Sequence, residues 1–130
     1  MPHCRLEYSG NLERVVDIGE LCRLVADTMA ASALFEVGGI RVRAFRTDHH
    51  VIADGHSDNG FIDMTLRIGA GRRAEAKKEF GDQLFQKVAD HLGALFDRPH
   101  FALSFEIQEI DSGLSWKKNS MHARLRGSEE

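Results

Sequence analysis

Two runs of strict alternation confine this chain more than any other feature of its sequence. Ile62, Met64, Leu66 and Ile68 alternate with Asp63, Thr65 and Arg67, and Phe101, Leu103, Phe105 and Ile107 repeat the pattern. A period of two puts every apolar residue on one side of an extended strand, so each run reads as a half-buried β-strand. Between them Phe80, Leu84, Val88, Leu92 and Leu95 recur close to every fourth residue. That stripe predicts a long helix, opened by Gly69-Ala70-Gly71 and stopped near Asp97-Arg98-Pro99.

The first half shows the same order. Residues 2–8 read as a short strand ended by Ser9-Gly10-Asn11. Asp17 and Glu20 have the spacing of a capping box, and Leu21, Leu24, Val25 and Met29 follow at helical intervals, predicting a helix over 18–31. After Gly38-Gly39, Ile40, Val42 and Ala44 alternate with Arg41, Arg43 and Phe45, a second strand. Residues 47–60 are polar and rich in turn formers, and read as a loop or irregular hairpin.

Strand–helix–strand therefore occurs twice, with no linker-like stretch between the halves. Each half is one βαβ unit with parallel strands and a right-handed crossover. The expected fold is α/β (α+β in some schemes): a four-stranded mixed sheet with two helices on one face. A single domain is expected over residues 1–126, with a frayed tail at 127–130. The other sheet face would carry Arg41, Arg43, Thr65, Arg67 and Glu106, a mixture that suits a polar subunit contact.

The composition excludes several classes. With 42% apolar and 28% charged residues, the chain is neither disordered nor fibrous. A net charge of −3 with mixed signs leaves no electrostatic footprint for nucleic acid. No run of uncharged apolar residues is long enough to span a membrane. The opening MPHCRLEYSGNLER has no secretory pattern, and Cys4 and Cys22 then read as reduced thiols in a cytoplasmic protein, packed as small core residues.

Among candidate reactive residues Pro2 has two readings. It starts an edge strand, where its missing N–H costs nothing, or, once Met1 is removed, it presents a secondary amine. Burial and nearby cations disfavour the charged form of such an amine and prepare it as a general base. The arginines divide by position. If the first strand parallels the second and opposes the third, Pro2, Arg41 and Arg72 gather at one end of the sheet. Guanidinium forks suit planar carboxylates. His3 is a candidate to orient the proline, and Glu7 a candidate buried acid. Asp48, His49, His50, Asp54, His56 and Asp58 crowd together, but their spacing matches no metal motif, and His56 reads as a loop or intersubunit hydrogen-bonding residue. No metal site is expected.

The stretches PHCRLEYSGNL, GGIRVRAF, ADGHSDNGFIDMTLRIGAGR, ALSFEIQEI and KKNSMHARL, in that order, resemble the 5-carboxymethyl-2-hydroxymuconate isomerases. This family lies within the tautomerase superfamily, whose members use an amino-terminal proline. The resemblance implies catalysis by Pro2, carboxylate binding by Arg41 and Arg72, no cofactor, and a homotrimer with pockets near subunit boundaries. Trp116 would wall a neighbour's pocket or pack in the interface. The implied substrate is a small conjugated carboxylate, 5-carboxymethyl-2-hydroxymuconate, from homoprotocatechuate (4-hydroxyphenylacetate) degradation. Two alternatives stand beside it. One is a tautomerase of a related 2-hydroxydienoate or an arylpyruvate. The other is a non-catalytic trimeric carboxylate-binding protein, should Met1 be retained.

Overall fold

The structure, a computed structural model, describes residues 1–127. Among them the chain forms β1 (His3–Ser9), α1 (Ile18–Ala30), β2 (Arg41–Thr47), β3 (Gly60–Gly69), α2 (Ala74–His91), β4 (Phe101–Ile110) and α3 (Met121–Gly127), with short 3₁₀ turns between them. The strands make one sheet in the order β2-β1-β3-β4. β1 runs parallel to β2 and antiparallel to β3, and β3 runs parallel to β4.

Register follows from alternation. Cys4, Leu6, Tyr8, Ile62, Met64, Leu66 and Ile68 are buried on one face. There they meet Leu21, Val25 and Met29 of α1 and Phe80, Leu84 and Val88 of α2. A one-residue slip would turn this whole set to the other side, so the pattern specifies the pairing. Asp17 caps α1, its carboxylate accepting from the Glu20 N–H at 3.0 Å. The long apolar stripe divides in two: α2 ends at His91, and Leu95 falls in a 3₁₀ turn over Gly93–Asp97.

The opposite face holds His3, Arg5 and Glu7 of β1, which pair with Arg41, Arg43 and Phe45 of β2 and with Arg67, Thr65 and Asp63 of β3. Among the described residues no helix packs on it. Glu7 is exposed there, which corrects its reading as a buried acid. Residues 48–59 form no strand, as a polar loop should.

Two corrections concern the carboxyl-terminal end. What reads as a polar tail contains α3, and Gly127, placed by the sequence in a frayed segment, closes that helix. The rest of the expected frayed segment, residues 128–130, lies outside the described residues. Trp116 is 86% exposed and Leu114 72% exposed, so neither lines a pocket of its own chain.

Candidate active site

The two sheet directions bring Pro2, Arg41 and Arg72 to one end, as the topology requires. The Arg41 N–H donates to the Pro2 carbonyl at 3.1 Å, which places the two residues side by side. β3 arrives at this end antiparallel to β1. Gly71 turns the chain with φ +106°, a conformation that favours glycine, and Arg72 folds back beneath it.

Arg72 is held from several sides. Its Nη1 donates to the Gly69 carbonyl at 3.0 Å, while Nε and Nη2 donate to the Leu34 carbonyl at 3.1 and 2.8 Å. The guanidinium also lies 5.6 Å from the Phe35 ring centre, and Phe35 packs edge-on against Phe80. Arg41 donates from Nη1 to the Gly39 carbonyl at 3.3 Å and reaches the Met1 Sδ.

The electrostatics are one-sided. Neither arginine has a carboxylate partner among the described residues, and neither does Lys117. The amino group of Met1 sits below its ordinary value, through burial first and then through Lys117, Arg72 and Arg41. A neutral amine and a bound anion both suit such an environment.

His3, the candidate to orient the proline, pairs in the sheet with Arg41 and Arg67. It lies on the bare face, its Nδ1 3.2 Å from Arg43 Nη1, and burial followed by Arg43, Arg41 and Arg67 lowers its pKa. Cys4 is fully buried, and burial pushes its thiol up to about 12, which leaves it inert.

Residues that sequence reasoning passed over complete the picture. Asn119 donates from Nδ2 to the Gly38 carbonyl at 2.8 Å, and its Oδ1 accepts from the Met121 N–H at 2.7 Å. Arg126 grips Glu36 through two hydrogen bonds of 2.5 and 2.7 Å, and His122 Nδ1 lies 2.9 Å from the same carboxylate. The stretch KKNSMHARL carries Lys117, Asn119 and His122, but nothing local shows that it returns to the proline.

One cluster of ligand-type atoms does form elsewhere: His56, Asp58 and His100 lie within 4.8 Å of one another. The sequence grouping had not included His100. His56 Nδ1 accepts from the Asp58 N–H, which leaves the ring proton on Nε2, and Arg98 takes the Asp58 carboxylate at 2.8 Å. These are the loop hydrogen bonds expected of His56.

A β2-β1-β3-β4 sheet with α1 and α2 on one face is a tautomerase-like α/β fold, and it sets Pro2, Arg41 and Arg72 at one end. Remote structural relatives share this fold. One of them, N1 of the cis-3-chloroacrylic acid dehalogenase family, superposes with a TM-score of 0.62 at 16% identity, covering 97% of this chain and 91% of that one. Closer likeness gives the family. A family model described as 5-carboxymethyl-2-hydroxymuconate isomerase matches residues 2–125, and the chain belongs to that family. The 5-carboxymethyl-2-hydroxymuconate Delta-isomerase of Escherichia coli is 40% identical over 126 residues, covering 97% of this chain and 100% of that protein. The crystal structure of a 5-carboxymethyl-2-hydroxymuconate isomerase from Deinococcus radiodurans R1 superposes with a TM-score of 0.89 at 42% identity, covering 96% of this chain and 94% of that one.

Proposed function

We propose that this isomerase ketonises 5-carboxymethyl-2-hydroxymuconate, with Pro2 as the proton carrier and Arg41 and Arg72 as the carboxylate clamp. The observation that carries the reading is the convergence of Pro2, Arg41 and Arg72, with Lys117, at one sheet end where no described acid neutralises them. Removal of Met1 turns the Pro2 amide into a basic secondary amine in the same field. That nitrogen takes the proton of the 2-hydroxyl group and returns a proton to the distal carbon of the conjugated system. One O–H bond is exchanged for one C–H bond, the double bonds shift, and no electrons are gained or lost. The conjugated carbonyl is its own electron sink, so the step needs neither cofactor nor metal. The two guanidiniums fix the carboxylates and stabilise charge spreading toward the enolate oxygen.

The working unit in this reading is a cytoplasmic homotrimer. The bare sheet face is its support, since Arg5, Arg43 and Arg67 stand there beside Glu7 and Asp63, a mixture of charges that a neighbouring copy can pair. Leu114 and Trp116 extend from the chain with their side chains exposed, ready to meet a neighbour. Clefts of about 600 and 480 Å³ in the single chain lie at the far end of the sheet, around Glu13–Ile18 and Leu95–Phe101. The pocket around Pro2 is closed by a second subunit.

The test is an intact-mass measurement on untagged protein, together with an ultraviolet assay of ketonisation. A chain beginning at Pro2 and active on the dienol supports the mechanism. Full activity in protein that still carries Met1 would refute it.

A further inference from the structure

We propose that His122 of α3 is a positioning residue for Pro2, held by Glu36, so that the carboxyl-terminal helix forms the back wall of the proline's cage. The inference rests on Pro2 being the reacting amine. A Cβ built on Gly39 would lie 3.3 Å from Pro2 Cδ, 3.4 Å from His122 Cε1 and 3.7 Å from His122 Nε2. The proline ring and the imidazole thus both pack against the same small residue, Gly39, whose missing side chain leaves room for the two of them. Cδ is bonded to the proline nitrogen, so whatever restrains Cδ restrains the direction of the nitrogen lone pair. Proton transfer is sensitive to that direction, because misplacement by about 1 Å can cost on the order of 10²-fold in rate.

The imidazole is itself restrained. Its Nδ1 is sequestered from solvent, 2.9 Å from Glu36 Oε2, in contact without the alignment of a hydrogen bond. Arg126, one turn further along α3, grips both oxygens of the same carboxylate and, by hydrogen bonding, holds it below the usual carboxylate range. Asn119 fixes the approach to α3 on the Gly38 carbonyl. Gly38 permits this contact, since a Cβ there would fall 2.8 Å from His122 Nδ1 and 3.1 Å from the His122 backbone. Glu36, Gly38, Gly39 and α3 form one clasp, and Gly39, its inner edge, is the residue against which Pro2 also packs.

The experiment compares His122→Ala, His122→Asn, His122→Phe, Glu36→Gln and the His122→Ala/Glu36→Gln pair with wild-type protein and with Pro2→Ala. Ketonisation kinetics are read beside circular dichroism and light scattering. His122→Ala should lower kcat about tenfold with KM within twofold, helical signal and assembly being kept. His122→Asn retains a polar contact for Glu36 but lacks the ring edge, and should show the same loss even if the Ala variant folds poorly. His122→Phe restores the planar wedge and should recover kcat to within threefold of wild type. The pair should be about as slow as either single variant, rather than a hundredfold down. Wild-type kcat in both His122→Ala and His122→Asn overturns the inference, and so does a multiplicative loss in the pair. If Pro2→Ala keeps full activity, the parent reading fails and takes this one with it. If Pro2→Ala is inactive while the His122 variants are unimpaired, this inference alone is wrong.

Discussion

At the start of β1, Pro2 lies among cations that no described carboxylate answers, and each residue there has a separate measurable role. Pro2→Ala should keep the fold and lose roughly 10²–10⁴-fold in turnover, the usual contribution of a general base. Arg41→Ala should weaken turnover with little change in Tm, because its side chain is half-exposed at the sheet end. Arg72 is different, since it bridges the Leu34 and Gly69 carbonyls. Arg72→Lys supplies the charge but not the three-nitrogen grip, so kcat/KM should fall and Tm should drop slightly as well. Wild-type kcat/KM in both Arg41→Ala and Arg72→Lys would remove the clamp. His3 offers a pH test. Burial and three arginines lower its folded pKa below the ordinary 6.5, so the unfolded chain binds the proton more readily. Stability is therefore complete above that value and is lost as the pH falls below it. Tm measured from pH 7.5 downward should decline less steeply in His3→Gln than in wild type.

The elements owe their stability to different sources. α1 has a capped start and three fully buried residues, so Asp17→Ala should cost about 1 kcal/mol in chemical denaturation, as the loss of one N-cap usually does. α3 has seven residues, none of them buried, and is too short to hold its shape alone. Its order comes from Glu36, Asn119 and the two glycines. Gly38→Ala should push α3 away from the turn before β2, because the new methyl meets His122 backbone as well as its ring. Faster amide hydrogen exchange confined to residues 121–127 would be the signature. Unchanged exchange there would show that the helix does not depend on this contact.

For the whole molecule the decisive feature is a sheet with one covered face. In the proposed trimer, three copies around an axis would bury the bare face and obey closed symmetry. Light scattering at micromolar concentration should therefore give three times the 14.6 kDa of the chain. Deleting residues 111–130 removes Leu114, Trp116 and α3 together, and should abolish turnover. A fully active monomer would contradict both the assembly and the shared pocket.

Much of this architecture was legible in the sequence because it is written in local periods. Alternation at Ile62–Ile68 and Phe101–Ile107 and the stripe from Phe80 to Val88 state which face of each element seeks the core. The two βαβ units make β1 parallel to β2 and β3 parallel to β4, but the antiparallel pairing of β1 with β3, which brings Arg72 to Pro2 and Arg41, is set by the tertiary structure. No local period announces α3. Its residues mix charge and polarity without a stripe, and the contacts that hold it, such as Arg126 on Glu36 some ninety positions earlier, are distant in the chain. The same holds for the packing of His122 on Gly38 and Gly39 and for the approach of His56 to His100. Glu7 shows the converse: alternation put it on one face, but only the absence of a helix over that face left it exposed. Periodicity records how a residue relates to its own element, whereas contacts between residues far apart in the chain depend on where whole elements come to rest.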